Sequence, residues 1–328
     1  MIEKVKQLRV LTLVIGCGVV VLSACLCGCD SRTSEEMHRD ALAYHKPGVA
    51  HLKAGRYDEA IAAFKKAIAI KPDYDKAHYN IGVAYYHLGR YAEALAAYKK
   101  AIAIKPHYGL AHYNLGVVYY DLRRFTEALG SFQNACIFKP EFVGAHINLG
   151  STHLHLEQYD EAVIAFKKAV AVEPDNATAY SNLGAAYAYL ERYADAVVVC
   201  KKAIALTPDD ADPYCIIGSA YSRLGKHSEA IVACEKAVSL NPNYATAYND
   251  LGVAYVGIEK YAEALAAYKK AIALKPDHVK AYYNMGVACG ELGRHDDEMA
   301  AYRKIIALKP KGKVAGWARE RIRRLNEK

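Results

Sequence analysis

Apolar and polar positions follow a helical period along this chain, and then the whole pattern starts again. His78, Ile81, Gly82 and Tyr85 stand at i, i+3, i+4 and i+7, one stripe of an α-helix, and Ala94, Tyr98 and Ala101 form a second stripe further on. Between them Gly89 supplies a residue that tolerates positive φ at a helix C-terminus. After them Lys105-Pro106 closes the second helix, because proline drives its predecessor out of the α region. The pattern predicts a helical hairpin. Eight prolines, Pro72, Pro106, Pro140, Pro174, Pro208, Pro242, Pro276 and Pro310, then recur at an unbroken spacing of 34 residues. A strict period without insertion describes one supersecondary unit stacked on itself, each copy burying the face of its neighbour.

Counting back from each proline gives units 41–74, 75–108, 109–142, 143–176, 177–210, 211–244, 245–278 and 279–312. Tyr91 to Ala103 and Tyr261 to Ala273 both read YAEALAAYKKAIA. The eighth place is Gly in all eight units, and the twentieth and twenty-seventh are each Ala in seven. Glycine inside a helix costs about 0.5–1 kcal/mol against alanine, so its recurrence needs a return, and the expected one is close approach of two helix backbones at Gly82 and Ala94. Unit one departs by carrying Pro47 and His51 in its first helix. There Thr33-Ser34-Glu35-Glu36 has the capping-box pattern, and Pro47 predicts a break or kink in the helix it starts. Glu298 and Ile305 replace both alanines of unit eight, while Cys200 and Cys234 stand where the second helix otherwise has an aromatic and read as small buried hydrophobes.

Tyr or His at the fourth place, Leu or Ile then Gly at the seventh and eighth, Tyr at the eleventh, Ala, an aromatic and Ala in the second helix, and the closing Pro resemble the tetratricopeptide repeat over residues 41–312. The resemblance implies an all-α, right-handed α-solenoid of eight helix-turn-helix units, about sixteen helices, with a concave groove that holds an extended or helical peptide. Residues 313–328 predict a C-terminal capping helix, with Val314, Trp317, Ala318, Ile322 and Leu325 on one stripe opposite Arg319, Arg323 and Arg324.

The first forty residues have another character. Lys4, Lys6 and Arg9 precede the uncharged apolar run Val10–Leu22, which ends in Leu22-Ser23-Ala24-Cys25, the parts of a secretory signal over 1–24 followed by a tether over 25–40. Leu22 to Cys25 resembles the lipobox of bacterial lipoproteins, which implies lipid on Cys25 and membrane attachment in a bacterial cell envelope, with Cys29 as a second candidate. An uncleaved spanning anchor and simple secretion remain open, and all three readings place the repeats outside the cytosol. The other five cysteines, Cys136, Cys200, Cys215, Cys234 and Cys289, are scattered one per unit and form no disulfide framework.

Net charge is +8, of which residues 1–24 give +2 and residues 311–328 give +5, leaving +1 for everything between. A near-neutral array is a poor footprint for nucleic acid. No Walker-type loop, HExxH pair or GxSxG elbow is present, and His153 and His155 point to opposite sides of a helix, so the reading is non-catalytic, with no metal, cofactor or small-molecule substrate. His78, His112 and His146 hold the fourth place and read as packing residues.

What remains is the second face of the first helices. It carries Tyr79, Val83, Tyr86, Tyr113, Val117 and Tyr120, and at the sixth place Asn80, Asn114, Asn148, Asn182 and Asn284, with Ile216 and Asp250 as exceptions. Tyrosines on that face serve either inter-unit packing or a bound segment. The asparagines resemble the ladder inside the superhelix of O-linked N-acetylglucosamine transferases, which implies amides holding a ligand's main chain; the alternative is an Asn bonded to the neighbouring unit. The carboxylate clamp of chaperone-tail binders is not matched, since only Lys76 and Lys280 stand at the second place. The expected partner is a protein or peptide segment in the groove. The chain then serves as a membrane-tethered scaffold for assembly of an envelope complex such as pilus, secretin or cell-wall machinery. An adaptor of an envelope enzyme or polysaccharide-export complex, or a free secreted module, are the alternatives.

Overall fold

The computed structural model describes residues 32–327. Among them are seventeen α-helices and no strand. The first helices of the eight units are α1 (Ser34–Lys53), α3 (Asp75–His87), α5 (Gly109–Asp121), α7 (Val143–His155), α9 (Ala177–Tyr189), α11 (Ala211–Arg223), α13 (Ala245–Val256) and α15 (Val279–Glu291). The second helices are α2 (Tyr57–Ile70), α4 (Tyr91–Ile104), α6 (Phe125–Phe138), α8 (Tyr159–Val172), α10 (Tyr193–Leu206), α12 (His227–Leu240), α14 (Tyr261–Leu274) and α16 (His295–Leu308), and α17 (Lys313–Asn326) ends the array. From unit two onward each first helix begins on the first residue that the proline ruler assigns to its unit.

Each first helix packs on its own second helix and on the second helix of the unit before. Successive first helices also touch one another, whereas successive second helices do not. The stack therefore curves with the first helices on its inner side. This α-solenoid is the architecture expected from the repeat.

Two local outcomes differ from the sequence reading. The capping box forms, with Thr33 and Glu36 bonded reciprocally, but α1 runs unbroken through Pro47. Burial explains this, because Ala41 and Gly48 are buried and the ring of Phe64 lies against Gly48, so packing outweighs the one backbone bond that proline removes. The recurrent glycine is also not a backbone-to-backbone contact with the twentieth place. A Cβ on Gly82 would lie 2.6 Å from Tyr98 Cε1, and one on Gly116 would lie 2.7 Å from Phe132 Cε1. The eighth place is empty so that the aromatic at the twenty-fourth place can lie across the first helix; Tyr98, Phe132 and Phe166 are almost fully buried there. In units five and six the Sγ atoms of Cys200 and Cys234 occupy the same slot, and both cysteines are free and fully buried. Burial pushes the Cys200 thiol up to about 12.

At the far end α17 packs against α16, with Trp317 edge-on to Tyr302, their ring centroids 5.0 Å apart. Glu298, at the place of a consensus alanine, is completely buried and accepts from Arg321 Nε at 2.7 Å, while His295 Nδ1 lies 3.4 Å from its other oxygen. The departure of unit eight is thus a buried ion pair that fastens the capping helix.

Candidate functional site

The inner wall is built from the fifth, sixth, ninth and twelfth places of successive first helices. Tyr79, Asn80, Val83, Tyr86, Tyr113, Asn114, Val117, Tyr120, Asn148, Asn182 and Asn284 are all half-buried on it. Four of the five sixth-place amides reach back 35 residues to the fifth place of the preceding unit. Asn114 Nδ2 donates to Tyr79 Oη at 2.9 Å, Asn148 Nδ2 donates to Tyr113 Oη at 3.0 Å, and Asn80 Nδ2 meets His45 Nε2 at 3.0 Å. The tyrosine rings pack within their own units, Tyr79 on Tyr98 and Tyr108, Tyr113 on Phe132 and Phe142. Burial raises the pKa of both phenols. The amide hydrogens therefore tie neighbouring units together, while the ring bodies fasten each tyrosine inside its own unit.

The ladder leaves acceptors unspent. Among the described residues nothing donates to the side-chain oxygens of Asn114 and Asn148. Asn182 has no side-chain bond among the described residues, because the fifth place before it is Ile147. Tyr86 Oη donates to Asp121 Oδ2 at 2.8 Å, which with burial pushes the phenol up to about 12, and Tyr120 packs edge-on to Phe125 and His155.

The fourth-place histidines do more than pack. His78, His112 and His146 each put Nε2 within 2.9 Å of a proline carbonyl six residues earlier, at Pro72, Pro106 and Pro140. Tyr214 donates to Pro208 in the same way at 3.2 Å. These side chains close the turn between units, a polar role that the apolar stripe concealed. Among the described residues no group of three or more His, Cys, Asp or Glu could hold a metal.

Sequence reasoning missed one feature of the wall. Between α11, α13, α15 and α17 it opens into a cleft of about 530 Å³, lined by Arg223, Asn249, Asp250, Lys280 and Asn284 among others. It opens there because the ninth and twelfth places of α11 are Ser219 and Ser222, where α5 has Val117 and Tyr120. Asn284 Nδ2 donates to Asn249 Oδ1 at 2.9 Å, Asn249 Nδ2 donates to Asp250 Oδ1 at 3.0 Å, and the Cys215 thiol donates to Asp250 Oδ2 at 3.8 Å. Burial raises the Asp250 carboxyl to about 6 against the opposing pull of these bonds and of Lys280 and Arg223. The signal was present in the sequence as the one carboxylate among the sixth-place amides.

Cys25, the expected lipid site, and Cys29 lie outside the described residues. Among the described residues no helix is long and apolar enough to cross a membrane.

Residues 75–278 match the family model described as the cilia and flagella-associated protein 70 C-terminal domain. Residues 48–89 match a TPR repeat model and residues 249–313 a tetratricopeptide repeat model. No curated protein sequence matches. Among solved structures, a chain of the APC/C hetero-tetramer Cut9-Hcn1 is 17% identical with a TM-score of 0.63, over 82% of this chain and 52% of that one. The chain thus spans about half the length of that relative. A tetratricopeptide repeat protein from Parabacteroides merdae is 19% identical with a TM-score of 0.57, over 76% of this chain and 99% of that one. The pilF protein of Pseudomonas aeruginosa is 19% identical with a TM-score of 0.55, over 64% of this chain and 96% of that one. At these identities the likeness is one of fold.

Proposed function

Because the chain belongs to the tetratricopeptide repeat family, through the cilia and flagella-associated protein 70 C-terminal domain model that matches more than half of it, we propose that it is a non-catalytic scaffold holding a protein segment against the first-helix wall. The observation that carries this reading is the set of polar atoms the ladder leaves unspent, the side-chain oxygens of Asn114 and Asn148 and the whole amide of Asn182. A half-buried carboxamide facing a concave wall offers main-chain N–H groups an acceptor whatever the side chains of the bound segment are. Around it Val83, Tyr86, Val117 and Tyr120 supply apolar area with polar tips, the surface type favoured at interfaces. In the same reading the scaffold is tethered to the membrane of a bacterial envelope through Cys25 and serves assembly of an envelope complex, with the pattern Leu22-Ser23-Ala24-Cys25 as its support.

The test is a photoreactive amino acid placed at position 182 on the inner wall, and separately at position 164 on the outer face, in cells making the full chain. The reading expects a discrete crosslinked polypeptide from 182 that does not form from 164. Equal labelling from both positions, or labelling from 164 alone, would overturn it.

A further inference from the structure

Two cations line the cleft between α11, α13, α15 and α17, and neither has an ion-pair partner among the described residues. Arg223 and Lys280 are exposed at its rim, whereas Arg90, Arg124, Arg192 and Arg294 each pair with a carboxylate three residues on. Beneath them the ring of polar groups is largely spent on itself. Asn284 donates to Asn249 and Asn249 to Asp250, so the amides are oriented toward the single carboxylate at the floor. That carboxylate already accepts from Asn249 and from Cys215, and it acts on the rim cations only at a distance, with neither in ion-pair contact. Ser222 Oγ, also in the lining, is buried with no hydrogen-bond partner among the described residues. A hydroxyl in that state lacks an acceptor. With Asp250 ionised the cleft has a net charge of +1, set by two unpaired cations over one internally bonded anion.

The geometry points to a specificity pocket in this cleft for an internal aspartate or glutamate side chain of the bound segment, its carboxylate held between Arg223 and Lys280. Arg offers a planar fork of donors and Lys a mobile point charge, a pair suited to one carboxylate. The volume of about 530 Å³ holds such a side chain together with the main chain that bears it. The pocket rests on the reading of the inner wall as a segment-binding surface and adds the chemistry of one position in that segment. It also gives Asp250 a sign: as the like charge beneath the pocket, it weakens binding of an acidic residue and relaxes the choice.

A random twelve-residue peptide library, fused through its C-termini to the carrier so that it presents no free C-terminal carboxylate, is selected on the immobilised full chain. The pocket expects enrichment of peptides with an acidic residue. For a selected peptide made synthetically with blocked ends, Arg223→Gln/Lys280→Gln should weaken binding about tenfold, two rim pairs each contributing a few-fold. Changing the acidic residue to its amide should cost the same on the wild-type chain and nothing further on the double variant. Asp250→Asn should tighten binding, an effect that loss of fold cannot mimic, and thermal melts of each variant check the fold. Peptides enriched with no acidic preference, or bound equally by the double variant, would overturn the pocket and leave the inner wall as a segment-binding surface. A selected peptide that binds only when its C-terminus is freed would overturn it too. If the wild-type chain enriches no peptide, both readings fall.

Discussion

Every unit requires a left-handed residue at its fifteenth place, and half of the units meet that requirement without glycine. Gly55, Gly89, Gly225 and Gly293 have φ of 68–73°, and Arg123, Glu157, Glu191 and Glu259 have φ of 57–60°. The cause is a shared helix-ending motif. Gly89 N–H bonds to Tyr86 O at 2.9 Å and Arg90 N–H to Tyr85 O at 2.9 Å, and Arg123 and Arg124 repeat both bonds in unit three. For an L-residue this conformation costs about 1–2 kcal/mol relative to glycine, while glycine adds unfolded-state entropy of about 0.4–1 kcal/mol. A Cβ at each of the four glycines would meet nothing within 4 Å, so the cost is one of backbone and not of crowding. Glycine at 123, 157, 191 or 259 should therefore stabilise by about 0.5–1 kcal/mol each, and all four together by about 2–4 kcal/mol, since they lie in different turns and share no partner. Chemical denaturation of the single, double and quadruple variants measures this, with Gly225→Ala as the reverse control expected to lose about 1 kcal/mol. A quadruple variant no more stable than the parent, beside a harmless Gly225→Ala, would refute the reasoning.

Three further outcomes follow. The Asp250 carboxyl, raised by burial to about 6, imposes a penalty that is absent below about pH 4, grows as pH rises toward 6 and is complete above. Asp250→Asn should thus stabilise by about 1–2 kcal/mol at pH 7.5 and by nothing near pH 4, read from melts across that range. Arg321→Ala strips the closer of its two partners from a fully buried Glu298 and should loosen α17 by on the order of 3 kcal/mol, seen as early proteolysis of the tail; adding Glu298→Ala, which restores the alanine of the other seven units, should recover most of it. Cys25→Ala should abolish lipid labelling and release the chain from membranes; retention of the unlabelled variant would sink the lipoprotein reading.

The array was legible because its determinants are local and repeated. Proline spacing and the stripe through Ile81, Gly82 and Tyr85 report on contacts within one unit, and each appears several times in the sequence. What the eighth-place glycine accommodates was not legible, since backbone and ring are equally good reasons for a missing side chain; only the packing of Tyr98 on Gly82 separates them. The left-handed turn was readable at Gly89 and hidden at Glu157, where context imposes a conformation the residue does not advertise. The wall residues were found by register, but their division of labour was not. Nothing in one unit reveals that Asn114 spends its amide on Tyr79, or that Ile147 frees Asn182. The cleft was missed for the opposite reason: Ser222, Asp250 and Lys280 are departures from the repeat, and a reading built on recurrence sets departures aside.

The central claim is that the first-helix wall holds a protein segment, and the most direct measurement is affinity beside stability for one change on each face. With the polypeptide captured from position 182 as ligand, Asn182→Ala is compared with Ile164→Ala, an exposed residue of the outer face. Neither side chain makes a hydrogen bond within the described residues, so neither change should move the melting temperature by more than about a degree. The account predicts that Asn182→Ala weakens binding about five- to tenfold, the worth of one hydrogen bond to main chain, while Ile164→Ala leaves it unchanged. Equal affinity for Asn182→Ala and the parent, or a loss confined to Ile164→Ala, would contradict it.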